Sequence, residues 1–204
     1  ELLSALNAGF EEPANIRFIF PAAPVHLDPM FDSRAWWMID IEKIQDLMAR
    51  GEVREMRTTS PAELPDCRMR INEVIEFARK NYGVSASQIV IGGFSQGSML
   101  STDVALNYKE PLGGLIVWSG ALICEEQWTA AAGNQIGLSV AQSHGRLDPV
   151  LPFAGAEYLR EMLTAGGHEV RFAAFDGQHA IPGPAIEVAL DLIKDVIIRS
   201  RTEA

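Results

Sequence analysis

Apolar residues along the chain follow two patterns: short β-branched runs bounded by Gly or Pro, and longer stretches carrying a helical stripe. The short runs are Ile16-Arg17-Phe18-Ile19-Phe20, Ile89-Val90-Ile91-Gly92-Gly93, Leu112 to Trp118, Ile136 to Gln142 and Val170 to Phe175. Their length and residue types are those of strands. Pro21-Ala22-Ala23-Pro24 stops the first, because proline donates no ladder hydrogen bond. A stripe at Ile41, Ile44, Leu47 and Met48 predicts a helix over 39–50, closed by Gly51. A second, at Ile71, Val74, Ile75, Ala78 and Tyr82, ends at Gly83. Ser60-Pro61-Ala62-Glu63 has the form of a capping box, but Pro65 interrupts it, so this helix is expected after Asp66. Further helices are expected over 96–108, 152–164 and 185–199. Residues 1–15 read as short helical pieces and loop, and the polar stretch 52–59 as an exposed loop forming part of a lid.

Strand and helix alternate with connections long enough for crossovers, which predicts an α/β fold with a mostly parallel sheet. Runs such as Ile89-Val90-Ile91 and Leu115-Ile116-Val117-Trp118 are apolar at every position, as expected where helices cover both faces. No repeat, low-complexity tract or linker interrupts residues 1–204, which read as a single domain.

One run carries chemistry. Ile89-Val90-Ile91 stops at Gly92-Gly93, Ser95 follows Phe94, and a helical stretch begins at Gln96-Gly97. Gly93-x-Ser95-x-Gly97 between a strand and a helix is the spacing of a nucleophile elbow. The turn is so tight that a side chain on either flank is expected to clash, and glycine has none. Without that context the pattern describes an ordinary Gly-rich loop bearing a serine.

A neutral serine needs a base, and the base needs an orienting group. In a parallel sheet the usable groups lie beyond the carboxyl ends of the strands. His26, His144 and His179 fall at that edge; His168 precedes a strand and reads as a surface residue. His179 sits on the flexible turn Asp176-Gly177-Gln178-His179. Among acids, Asp103 and Glu157 lie within helices and read as solvated. Asp148, in His144-Gly145-Arg146-Leu147-Asp148-Pro149, follows a strand, and Asp176 is the alternative orienter. Ser95, Asp148 and His179 in that chain order form a candidate catalytic triad. The backbone N–H of Gln96 is the candidate oxyanion donor. Trp37 and Phe94 are assigned to substrate contact, although large aromatics are more often plain core.

Composition narrows the partners. The net charge of −10 argues against a nucleic acid, which rewards Lys/Arg patches. No apolar run is long enough to cross a bilayer. Cys67 and Cys124 give neither a disulfide framework nor metal-ligand spacing, which favours a reducing, cytoplasmic setting. Metalloprotease, zinc and dinucleotide motifs are absent. With the candidate triad, rather than from composition, the partner expected is a small-molecule acyl ester whose carbonyl Ser95 attacks.

Taken with Phe20-Pro21-Ala22-Ala23-Pro24, Arg34-Ala35-Trp36-Trp37, Trp118-Ser119-Gly120 and Gly177-Gln178-His179, these residues resemble the phospholipase/carboxylesterase family of α/β-hydrolases, which includes the acyl-protein thioesterases. The resemblance implies an α/β-hydrolase fold, a serine hydrolase of carboxyl esters, thioesters or lysophospholipids, no metal or cofactor, and allows a homodimer. Three departures accompany it. Ser98 stands where the family usually has Gly; the segment 40–66 is longer than in small members. The loop Leu-His-Gly-x-Gly, which gives the second oxyanion donor, is expected upstream of Glu1, with its strand between 16–20 and 89–93. Residues 25–66 are the expected substrate-pocket loops. A non-catalytic binding protein of the same fold is the rival from another class; a peptidase or acyltransferase would share the triad.

Overall fold

The computed structural model describes residues 2–10, 16–28, 30, 33–134 and 136–202. Its elements are α1 (Leu2–Ala8), β1 (Val25–Asp28), β2 (Ser33–Ala35), α2 (Ile41–Ala49), α3 (Leu64–Tyr82), β3 (Val90–Phe94), α4 (Gln96–Asn107), β4 (Gly114–Trp118), α5 (Glu125–Asn134), β5 (Ser139–Gly145), α6 (Phe153–Ala165), β6 (Glu169–Phe175) and α7 (Gly183–Thr202). β3, β4, β5 and β6 form a parallel sheet in that order, while β1 and β2 make a separate antiparallel hairpin.

The two-residue period of a strand sorts the core. Leu115 and Val117 of β4 and Val140 of β5 pack with α3, α4, α5 and α6 on one face. Ile116, Trp118 and Ala141 pack with α1 and α7 on the other. Every residue of β4 is buried, as its all-apolar sequence predicts. β3 is at the edge of the four-stranded sheet and is only half-buried, so its similar sequence is covered less than expected. α7 is anchored where the Trp118 indole N–H donates to the Ala185 carbonyl at 2.9 Å.

Several expected elements differ. Residues 16–20 form no strand. They keep the alternation of one, with Ile16 and Phe18 packed on the α7 core and Ile19 and Phe20 exposed, but no neighbour among the described residues supplies a ladder. Residues 53–58 are a 3-10 helix rather than an exposed loop, and Met56 within it is buried in the core. α3 starts at Leu64, ahead of the expected Asp66, because Pro65 falls in the first turn, where its missing N–H costs nothing. Gly83 closes α3 at φ 67°, as predicted.

Candidate active site

Ser95 is the hinge between β3 and α4, with φ 53° and ψ −120°, a conformation that side chains disfavour. Its surroundings hold it there. The Ser95 N–H donates to the Trp118 carbonyl at 2.8 Å, and its own carbonyl accepts from the Ser98 hydroxyl at 2.6 Å. Ser98 is accommodated by Gly120, where a Cβ would fall 2.3 Å from Ser98 Oγ. The departure at Ser98 thus adds a hydrogen bond to the turn.

The flanking glycines are not equivalent. A Cβ on Gly93 would fall 2.3 Å from the Gly97 carbonyl carbon, a contact that only backbone movement relieves. A Cβ on Gly97 would meet only the Trp36 indole nitrogen, at 3.9 Å, so the expected clash exists on one side alone. We predict that Gly93→Ala costs about 3 kcal/mol. Gly97→Ala, in the first turn of α4, should change stability by under about 1 kcal/mol. Thermal melts of the two variants test the asymmetry, and equal losses would contradict it.

The acid and the base come from the next loops. The chain after β5 is joined to the end of β6 and to the turn beyond it by backbone bonds, from Arg146 N–H to the Phe175 carbonyl at 2.9 Å and from Leu147 N–H to the Gly177 carbonyl at 3.0 Å. Gly145 permits this approach, since a Cβ there would lie 2.4 Å from the Gly177 and Gln178 carbonyl oxygens. Across the junction His179 Nδ1 meets Asp148 Oδ2 at 2.6 Å. Asp148 Oδ1 accepts from the N–H groups of Val150 at 2.8 Å and Leu151 at 2.9 Å. Burial pushes this carboxyl up, but hydrogen bonds from His144, His179, Leu151 and Val150 outweigh it and hold it well below the usual carboxylate range. Asp176 is not on His179; its side chain is 92% exposed and lies 3.6 Å from Arg146.

The Phe94 ring, next to the elbow, packs on the His179 imidazole with centroids 4.6 Å apart. His179 thus lies against the residue that precedes Ser95, and among the described residues no hydrogen bond closes Ser95 Oγ on the imidazole. Ser119, buried with φ 50°, repeats the elbow's strain one strand over. Its N–H donates to the Ser143 carbonyl at 2.9 Å and its hydroxyl approaches the Ala180 carbonyl at 3.4 Å, beneath the histidine loop.

Gln96 does more than present its N–H beside Ser95. Its side-chain oxygen accepts from Trp36 N–H at 2.7 Å and its amide donates to the Trp37 carbonyl at 2.8 Å, clamping this segment to the elbow. Trp37, assigned to substrate contact from the sequence, is 4% exposed and packed in the core, so it offers almost no surface to a ligand. Trp36 is the tryptophan that faces the elbow. Phe94 keeps an accessible face, as do Leu147 and Val150 at the same edge of the sheet.

The remaining candidates fall elsewhere. His26 lies on the hairpin strand β1 and is exposed. His168 is buried rather than on the surface; its Nδ1 accepts from Leu138 N–H at 3.3 Å, joining the start of β6 to that of β5. Asp103 is not solvated either: it is buried in α4 and bound by Trp128 Nε1 at 2.9 Å and Arg68 at 3.1 Å. Glu157 is half-buried on α6. Among the described residues no cluster of His, Cys, Asp and Glu has the makings of a metal site. Surface clefts of about 410 and 370 Å³ are lined by other residues, the first by Leu3, Asn7, Ile16 and Phe18 at α1 and the second by Arg57, Glu125, Thr129, Tyr158 and Met162 between α5 and α6.

A serine at a strained strand-to-helix turn, with an Asp–His pair on the next loops, is the arrangement of an α/β-hydrolase. The family model of phospholipases and carboxylesterases matches residues 4–197. The chain belongs to this family. It is an ester hydrolase by that membership. Among relatives, it is 28% identical over 186 residues to acyl-protein thioesterase 1 of Eremothecium gossypii, covering 89% of this chain and 74% of that protein. It is also 28% identical over 193 residues to a probable carboxylesterase of Oryza sativa subsp. japonica, covering 90% and 76%. The structure of SOBER1 from Arabidopsis thaliana superposes with a TM-score of 0.71 at 20% identity, over 94% of this chain and 90% of that one. Esterase PE8 gives a TM-score of 0.69 at 22% identity, over 86% and 76%. These two likenesses carry the fold. No described helix is long and apolar enough to cross a membrane.

Proposed function

We propose that the chain is a serine hydrolase of carboxyl esters and thioesters, acting through an acyl-enzyme on Ser95. The observation that carries the assignment is the 2.6 Å contact between His179 Nδ1 and Asp148 Oδ2, made beside the elbow. A carboxylate only accepts, so Nδ1 bears the hydrogen and Nε2 presents a lone pair. His179 takes the Ser95 proton through Nε2 as Oγ attacks the carbonyl, and Asp148 stabilises the resulting imidazolium. The oxyanion develops at the N-terminus of α4, where the Gln96 N–H and the helix dipole favour negative charge. His179 then protonates the leaving alcohol or thiol, and water, deprotonated by the same imidazole, releases the acid.

The substrate is a small-molecule acyl ester or a thioester, the bond that the name of the acyl-protein thioesterase relative gives for that protein, with lysophospholipid esters in the same class. Phe94, Leu147 and Val150 supply exposed apolar surface for its acyl chain, with Trp36 behind the elbow. A cytoplasmic setting suits the two buried, unpaired thiols Cys67 and Cys124. A fluorophosphonate probe tests the assignment. It should label the folded protein once, and peptide mapping should place the adduct on Ser95. An unlabelled protein, or an adduct elsewhere, sinks the proposal.

A further inference from the structure

Strand β5 brings a second histidine to the acid. His144, on the face of β5 that also carries Val140 and Gln142, is fully buried against α6, with Phe153 edge-on to its ring at 6.1 Å. Its Nε2 lies 2.9 Å from the Leu151 carbonyl oxygen and 3.2 Å from Asp148 Oδ2. Both neighbours are acceptors, so Nε2 carries the hydrogen and shares it between them. Nδ1 is buried without a hydrogen-bond partner. A hydrogen there would be a donor sealed from any acceptor, whereas a bare lone pair costs less. The two nitrogens therefore fix one tautomer.

With this bond Asp148 is saturated. Val150 and Leu151 N–H groups occupy Oδ1, while His144 and His179 occupy Oδ2. A carboxylate has about four lone-pair sites, so no direction is left to which it can turn. The two backbone donors pin Oδ1 alone and leave Oδ2 free to swing about it; His144 removes that freedom. A buried imidazole with one idle nitrogen is a poor filler for a pocket walled by Phe153 and Leu151, where a leucine would pack without polar cost. We propose that His144 is a positioning residue of the acid, its Nε2–H holding Asp148 Oδ2 where the His179 Nδ1–H meets it. This rests on reading Ser95, His179 and Asp148 as the triad.

The experiment compares His144→Leu and His144→Gln, the second of which returns an amide N–H close to the imidazole Nε2 position. With a p-nitrophenyl ester, His144→Leu should lower kcat about ten- to a hundredfold and leave KM within about twofold. His144→Gln should recover the rate to within about fivefold of the wild type. Because His144 acts through Asp148, adding His144→Leu to Asp148→Asn should slow fluorophosphonate labelling by less than about threefold further. Wild-type rates in His144→Leu, an equal factor in both backgrounds, or loss of folding in both variants would each overturn the proposal. The last would make the side chain a determinant of the fold. Failure of the triad reading is distinguishable, since the wild-type protein would then give no adduct on Ser95.

Discussion

Replacing Ser95 by alanine should lower ester kcat by about 10⁴- to 10⁶-fold and abolish fluorophosphonate labelling. Stability should not follow. Among the described residues Ser95 Oγ makes no hydrogen bond, and the turn is held instead by backbone bonds to Trp118, Ser98 and Met99. Alanine keeps those bonds and meets the same disfavoured φ of 53°. The melting temperature is therefore expected within about 3 °C of the wild type, since about 1 kcal/mol moves it 2–4 °C in a chain of this size. Ser95→Gly separates strain from chemistry. It should be equally inactive but more stable by about 1–2 kcal/mol, the cost of a non-glycine residue in a sparsely populated region. Activity retained in Ser95→Ala would end the acyl-enzyme proposal. Inactivity with loss of folding would show that the serine side chain supports the turn.

The elbow of the proposed site is legible in the sequence because its parts obey rules that act locally. Strand, glycine, serine and helix are contiguous at 89–97; the edge of a parallel sheet leaves His26, His144 and His179 beside Asp148 and Asp176, and the chain order Ser…Asp…His picks Asp148 and His179 from them. What escaped depends on contacts between distant residues. α5, Glu125–Asn134, has almost no amphipathic stripe; it is held by Trp128, buried through a bond to Asp103, 25 residues earlier. The β1–β2 hairpin is built from Val25-His26-Leu27-Asp28 and Ser33-Arg34-Ala35, too short and mixed to signal strands. Residues 16–20 carry the pattern of a strand, but a strand also needs a partner, and pattern does not supply one. Which of two adjacent tryptophans faces the elbow is set by Gln96, whose side chain grips both backbones from 59 and 60 residues away. His168 reads as a surface residue from its place before a strand and Asp103 as solvated from its place in a helix, because neither position reveals the buried partners Leu138 and Trp128.

The sharpest separation of acids is expected from a pair of asparagine variants. Asp148→Asn should lower kcat by about 10⁴-fold with KM nearly unchanged, the size seen when a triad acid loses its charge. The cause is tautomeric as well as electrostatic. An amide can turn its NH₂ toward His179 Nδ1, which then accepts, leaving the hydrogen on Nε2, where it cannot take the serine proton. Asp176→Asn should stay within about twofold of wild type, because an exposed, loosely paired carboxylate contributes little. pH provides a second readout. The Asp148 carboxyl is lowered in the folded protein, so its ionised form stabilises the fold above the ordinary carboxylate pKa of about 3.9, and that contribution is lost as the pH falls below it. The melting-temperature deficit of Asp148→Asn should therefore be full at neutral pH and narrow in acid, whereas Asp176→Asn should show no such deficit. A large kcat loss in Asp176→Asn with a normal Asp148→Asn would move the orienting role to the 176–179 turn. The 2.6 Å bond from His179 to Asp148 would then be one of structure rather than catalysis.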